Sequence, residues 1–278
     1  MAADSPRLAI VLSGGGVRGM AHIGALQRLH ELGMRPSLVV GTSAGALVGA
    51  AYAAGKIHRM AELAHAMDWK RLTKLFLEVR FLRAGLTEGR QIQRFLNEIY
   101  GTDSFDNLKI PFATVATNLE NESEVVITTG SLVKAVRASI AIPGVFTPVK
   151  HDDDCLLVDG GLVNPLPISV ARQMGADIVI AIDVNLRASA EPQSSVFVAR
   201  KRLNKRLNIF DVSTKSLRVM ENQVARNRLQ LEPPDLLIQP AVGNVLTLDF
   251  QKILEMVAAG TAAVEEQSDK VLTLIKKN

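Results

Sequence analysis

The 278-residue chain has one cysteine, Cys155, one tryptophan and an aromatic content of only 4%. A lone cysteine excludes an internal disulfide and a cysteine-cluster metal site, and it suits a reducing compartment. No apolar run approaches the ~18 residues needed to cross a bilayer. Met1-Ala2-Ala3-Asp4-Ser5-Pro6-Arg7 lacks the basic stretch of a secretory leader, and the apolar run behind it is only a strand's length. These absences lead us to expect a soluble, cytoplasmic protein. Histidine is also scarce: there are five, at positions 22, 30, 58, 65 and 151, and none follows His151. What the chain does have is 47% apolar and 22% charged residues, the balance of a globular protein with a substantial core. Its net charge of +4 is unevenly spread. The stretch 200–228 carries Arg200, Lys201, Arg202, Lys205, Arg206, Lys215, Arg218, Arg226 and Arg228 against Asp211 and Glu221, so the rest of the chain is slightly acidic. Nothing in this pattern points to a nucleic-acid partner.

One short stretch organises the chain. Ser37-Leu38-Val39-Val40 reads as a buried strand and Ala46 to Ala54 as an Ala-rich helix stopped by Gly55. Between them lies Gly41-Thr42-Ser43-Ala44-Gly45, a serine between two glycines at a strand-to-helix turn. Such a turn holds its serine in a strained conformation, and side chains at Gly41 or Gly45 would strike neighbouring backbone. Upstream, the apolar strand Leu8–Leu12 enters Gly14-Gly15-Gly16-Val17-Arg18-Gly19 and then a helix from Met20 to Leu32. This spacing satisfies G-x-G-x-x-G and so raises a dinucleotide-binding reading, but that fingerprint needs an acidic residue at the end of the second strand. None lies between Met34 and Lys56. The same bare N–H groups at a helix N-terminus also suit an oxyanion, and both loops fall at the C-terminal ends of successive strands.

Further along, 111–117 and 124–128 read as strands, Ser131 to Ile140 as a helix, and Cys155–Val158 as a strand delivering Asp159-Gly160-Gly161. Asp177–Ile182 and Asp235–Gln239 read as further strands, 200–228 as a long basic helix, and Phe250 to Lys276 as helical. Trp69 to Arg83 is amphipathic, which suits either a surface helix packed on the core or a lid facing a membrane. Strands alternate with helices without a linker, so residues 7–185 are expected to form an α/β catalytic core, with 186–278 a helical extension and last strand packed on it.

A serine nucleophile needs a base. The order serine–acid–histidine leaves only His151, which sits in an acid-rich turn, while His22 and His30 fall on the first helix and are expected to pack there. Asp159 is the alternative, ending a buried strand before two glycines. It is equally the residue type of a helix cap, and in isolation both readings stand. A carboxylate of ordinary pKa near ~3.9 deprotonates a hydroxyl only if the growing charge is absorbed elsewhere and the site is partly dry.

Taken in order, Gly14–Gly19, Gly41–Gly45, Ala138-Ser139-Ile140-Ala141-Ile142-Pro143 and Asp159-Gly160-Gly161 closely resemble the motifs of the patatin-like phospholipases, over about residues 7–185. The resemblance implies a three-layer α/β/α sandwich with a mostly parallel central sheet and a Ser–Asp dyad without histidine. It assigns Ser43 as nucleophile, Asp159 as base, and the Gly14, Gly15, Gly16, Val17, Arg18, Gly19 loop as oxyanion hole. It implies a serine lipid acyl hydrolase that needs no metal or cofactor. The other readings are a soluble carboxylesterase or thioesterase for short acyl groups, a Rossmann-type nucleotide-binding module, and a catalytically silent relative. For a lipid substrate, contact with an anionic membrane at its inner face would come through Trp69–Arg83 and the cations between 200 and 206. A contact between subunits is the other use of that basic run.

Overall fold

Leu8-Ala9-Ile10-Val11-Leu12 contains no polar side chain, so it is stable as a strand only with both faces covered. In the computed structural model, which describes residues 6–66, 86–151, 155–185, 209–243, 245–246 and 249–277, it is β1 (Leu8–Leu12), buried along its whole length. On either side β1 pairs in parallel with β2 (Leu38–Thr42) and β7 (Ile178–Ile182). The parallel set extends outward to β3 (Phe112–Asn118) and β8 (Leu236–Ile238). Beyond β3 the sheet turns antiparallel through β6 (Leu156–Asp159) and β5 (Val149–Lys150), and β4 (Glu124–Ile127) also runs antiparallel to β3. The order is β5-β6-β3-β2-β1-β7-β8.

Alternation along β1 divides the core. Leu8, Ile10 and Leu12 face one apolar cluster, with α1 (Ala21–Glu31), α2 (Ala44–Ala53), α3 (Ile57–Ala66), α4 (Leu86–Tyr100) and α5 (Leu132–Ser139) contributing to it. Ala9 and Val11 face a smaller cluster with α6 (Ile168–Gln173). Two covered faces make the three-layer α/β/α sandwich that the family resemblance implies. β2 begins one residue later than expected and runs through Thr42, up to the residue before Ser43.

Among the described residues the C-terminal part has three helices. α7 (Ile209–Leu231) carries four of the nine cations of the basic stretch, Lys215, Arg218, Arg226 and Arg228. The continuous helix expected over 250–276 is instead a 3-10 turn (Phe250–Lys252), then α8 (Ile253–Glu265), then α9 (Ser268–Lys277). The break lets Gln267 Nε2 donate to Leu237 O on β8, and it turns Val271 into the core. α8 lies with its backbone directly on α1, since a Cβ at Gly260 would overlap Ala21 O and one at Gly24 would overlap Val257 O. That approach carries Phe250 and Ile253 to the serine's side of the molecule. Trp69–Arg83 and Arg200–Arg206 lie outside the described residues. Among the described residues no helix is long and apolar enough to cross a membrane.

Candidate active site

β2 delivers Ser43 at φ 53°, ψ −120°, a conformation that side-chain-bearing residues rarely adopt. Only Ser43 and Glu122 combine a side chain with positive φ among the described residues. The turn is tight because the flanking glycines leave no room for anything else: a Cβ at Gly41 would overlap Gly45 O, and one at Gly45 would overlap Leu12 O. The strained peptide is pinned from behind. Ser43 N–H donates to Ser139 Oγ at 2.9 Å, and Ser139 Oγ–H donates to Val115 O at 2.6 Å. Ser139 is therefore part of the site's frame, a role the sequence shows only as one letter of a family block.

Asp159 closes β6 on the same edge. Its N–H donates to Ala141 O at 3.1 Å, and its carbonyl accepts from Thr117 Oγ1 at 2.8 Å. Oδ1 accepts Gly161 N–H at 2.8 Å, capping the 3-10 turn Gly160–Leu162, while Oδ2 accepts Ser43 Oγ–H at 2.6 Å. The carboxyl thus caps the turn through Oδ1 and takes the serine's hydrogen bond on Oδ2, a geometry compatible with both readings that the sequence leaves open. Burial pushes the carboxyl up to about 6, against the opposing pull of the Ser43 and Gly161 hydrogen bonds. It remains mostly ionised at neutral pH and is a better base than an exposed aspartate.

The glycine loop abuts the serine: a Cβ at Gly14 would come within 3.4 Å of Ser43 Cβ, and one at Gly19 would overlap Ala44 Cβ. Gly14 N–H is taken by Pro165 O at 2.9 Å. The N–H groups of Gly15, Gly16 and Val17, at the start of the 3-10 turn, have no protein acceptor among the described residues, so the loop keeps donors without Gly14. The Val17 side chain is buried in the wall beside them. Arg18 is 1% exposed, donating from Nη1 to Val245 O and from Nη2 to Asn185 Oδ1. Burial lowers its pKa to about 10, so it stays a cation at neutral pH. Asn185 Nδ2 in turn donates to Gly14 O at 2.8 Å, tying the arginine to the loop.

Among the described residues the hydrogen-bond partner of Ser43 Oγ is Asp159 and not a histidine. His22 is fully buried and hydrogen-bonds through Nε2 to Ser13 O at 2.9 Å; a carbonyl only accepts, so Nε2 carries the proton. Burial lowers it to about 4, and the ring is neutral. His151 is exposed, and no histidine lines either recess at Ser43.

Ser43 stands on the wall of two recesses of opposite character. The first is apolar, with Met20, Leu47, Phe95, Ile99, Ile142 and Phe250 among its lining residues. The second is polar and holds Gly14, Gly15, Gly16, Arg18, Asp159 and Gly161, closed by Thr214, Leu217, Arg218 and Glu221 from α7. Sequence reading treats α7 as a basic helix and misses that it brings Arg218 and Glu221 to the serine. The only signal is a glutamate within a cationic stretch. Glu221 is pushed up to about 8 by burial and then by Asp159, against Arg18 and Arg218.

A model of the patatin-like phospholipase family matches residues 10–172. An uncharacterized NTE family protein of Mycobacterium tuberculosis is 36% identical over 215 residues, covering 76% of this chain and 59% of that protein. Patatin-like phospholipase domain-containing protein 7 of Rattus norvegicus is 30% identical over 272 residues, or 91% of this chain, which spans only 20% of the rat protein. In fold, the chain is similar to VipD from Legionella pneumophila, with a TM-score of 0.54, 14% identity, and coverage of 98% of this chain and 67% of that one. The chain belongs to the patatin-like phospholipase family.

Proposed function

We propose that the protein is a serine lipid acyl hydrolase of phospholipase A or lysophospholipase type, acting through Ser43 and Asp159. The observation that carries this reading is the 2.6 Å hydrogen bond from Ser43 Oγ to Asp159 Oδ2 at the junction of an apolar recess and a glycine loop with unpartnered N–H groups. An acyl chain lies in the apolar recess with its ester carbonyl at Ser43. As Oγ attacks the carbonyl carbon, its proton passes to Asp159, and the negative charge appears on the carbonyl oxygen, facing Gly15 and Gly16 N–H. The buried Arg18 charge adds to the field. Release of the alcohol leaves an acyl-serine, which water hydrolyses with Asp159 as base. No step calls for a metal or cofactor. A short-chain esterase is the weaker reading, because a recess walled by Leu47, Phe95, Ile99 and Phe250 offers more apolar surface than a short acyl group covers.

The test is an active-site-directed fluorophosphonate. Labelling of Ser43 alone is expected, with Ser43→Ala losing both labelling and ester hydrolysis. Full labelling of that variant would rule the assignment out.

The acyl pocket yields a second expectation. Ala64 lines it from α3, and Ala64→Phe places a ring in the space of two or three methylenes. At about 0.8 kcal/mol per buried methylene, kcat/KM for a hexadecanoyl ester is expected to fall roughly 10- to 50-fold, with a much smaller loss for a butanoyl ester. Equal losses across a chain-length series would place the acyl group elsewhere.

A bilayer-borne substrate requires peripheral contact, assigned by this reading to the cations between 200 and 206. Replacing these five by Gln is expected to weaken co-sedimentation with anionic vesicles at low salt while sparing hydrolysis of a small soluble ester. Equal binding of wild type to neutral and anionic vesicles would give the run another use, such as a contact between subunits.

A further inference from the structure

The polar recess contains a carboxyl group that the Ser43–Asp159 pair does not use. Gly161 has no side chain, and α7 lays Glu221 into the gap: an ideal Cβ on residue 161 would lie 2.8 Å from Glu221 Oε1 and 3.1 Å from Asp159 Oδ1. The two carboxyl groups are therefore separated by no more than the sum of those distances, with both side chains lining the recess that Ser43 opens into. Two carboxyl groups that share a poorly solvated space do not both ionise readily, and their environments decide which one keeps the proton. Asp159 receives two hydrogen bonds that favour its anion, from Ser43 Oγ–H and Gly161 N–H. Glu221 has no such pair of donors, and faces Asp159 from β6, Arg18 from the glycine loop and Arg218 on its own helix. The proton stays on Glu221, and a base and an acid stand side by side. The acyl chain occupies the apolar recess, so the alcohol leaves through the polar one, past Glu221.

We infer that Glu221 is a second proton-transfer residue of this site: its carboxylic acid protonates the leaving alkoxide in acylation, and its carboxylate takes the proton of the incoming water in deacylation. This rests on the Ser43–Asp159 reading for acylation, and in deacylation it moves the base for the incoming water from Asp159 to Glu221. In acylation the Ser43 Oγ–C bond forms as the Oγ proton moves to Asp159. The bond from carbonyl carbon to alcohol oxygen breaks, and that oxygen takes the proton of Glu221. In deacylation a water oxygen bonds to the acyl carbon and gives its proton to Glu221. The Oγ–C bond then breaks, and Oγ recovers its proton from Asp159. Both carboxyl groups end as they began, with nothing consumed except water. The arrangement follows the general rule that neighbouring titratable groups driven apart in pKa take opposite acid and base roles.

The test compares an alkyl ester and a p-nitrophenyl ester of the same acyl chain, because nitrophenolate departs without a proton. With Glu221→Gln, kcat/KM for the alkyl ester is expected to fall by about 10²- to 10⁴-fold, the range of a general acid, and far less for the nitrophenyl ester. Since kcat/KM reports acylation alone, the slowed deacylation appears separately: the nitrophenyl ester gives a burst, and intact-mass spectrometry shows an acyl adduct on Ser43. Wild type is expected to show an alkaline limb near pH 8 with the alkyl ester only, above an acid limb near pH 6 common to both esters. Glu221→Asp is expected to recover part of the alkyl-ester rate. Equal losses on both esters, or an alkaline limb in wild type that is the same for both, would overturn the inference. The wild-type comparison decides the matter even if Glu221→Gln does not fold. Retained fluorophosphonate labelling of Glu221→Gln alongside its failure leaves the Ser43–Asp159 reading standing. Activity or full labelling in Ser43→Ala removes that reading as well.

Discussion

Asp159→Asn is expected to lower kcat/KM by roughly four orders of magnitude and, at the same time, to make the protein harder to melt at pH 8. The first effect follows from the 2.6 Å bond to Ser43 Oγ: an amide Nδ2 in that place donates a proton instead of accepting one, and the serine is left without a base. The second follows from burial. The folded-state pKa of Asp159 lies near 6, above its ordinary 3.8, so the folded state favours the protonated acid. The carboxyl's favourable contribution is complete below about pH 4 and is lost as pH rises through 6, where the fold must hold a desolvated anion. Two pKa units correspond to about 3 kcal/mol at most. An asparagine removes that cost and keeps the cap, because its Oδ1 still accepts Gly161 N–H. For a chain of this size the gain amounts to several degrees in Tm at pH 8, shrinking towards nothing by pH 4. Calorimetry at the two pH values beside a steady-state assay checks both. A variant that melts lower by the same amount at pH 4 and pH 8, or that keeps more than a few per cent of activity, contradicts the account.

The pairing of large losses in function with gains in stability has a structural origin. The chain places a strained serine, a buried carboxylate and a buried arginine at the C-terminal edge of its central strands. Each costs stability, and the core of β1, β2 and β7 holds them in place. That core was legible from sequence because its strands are short apolar runs bounded by glycine, and the two loops that follow β1 and β2 have compositions that few other structures demand. The Ser–Asp pairing is implied only by the family resemblance, since the scarcity of histidine makes a histidine base a poor fit but leaves Asp159 equally readable as a cap. What lay hidden depends on contacts between distant parts of the chain. Ser139 supports Ser43 across 96 positions through one hydroxyl, and nothing local distinguishes it from any helix-end serine. Gly14 looks like an oxyanion donor until Pro165 O takes its N–H. Arg218 and Glu221 reach the site because α7 packs on the Gly160–Leu162 turn that follows β6, and periodicity along α7 says nothing about that. The break between α8 and α9 was hidden for the same reason, as it is set by the Gln267 contact with Leu237 on β8.

Gly160→Ala is expected to be, with changes at Gly41 and Gly45, among the most damaging single methyl groups in the catalytic region. A Cβ at residue 160 would overlap Val115 O and its carbonyl carbon, and would lie 3.1 Å from Thr42 Cγ2. Val115 belongs to β3, held between β2 on one side and β6 on the other, so it cannot retreat without parting the sheet. Val115 O is also the acceptor for Ser139 Oγ–H, and Ser139 Oγ receives Ser43 N–H. Displacing it loosens the serine's support, and displacing Gly160 instead moves Asp159, its chain neighbour. Whichever way the clash is relieved, the Ser43–Asp159 distance changes. Overlap with main chain in a core of this density belongs with the mutations that cost more than about 4 kcal/mol, a large share of a typical folding free energy. Gly130→Ala is the control. It has φ +82° but nothing within 4 Å of the added Cβ, so only the backbone penalty of about 1 kcal/mol applies. The expected result is that Gly160→Ala is insoluble or melts far below wild type, without fluorophosphonate labelling, whereas Gly130→Ala folds and labels. A Gly160→Ala protein that melts within a few degrees of wild type and labels at the normal rate would mean that β3 and the acid loop are not locked together as described.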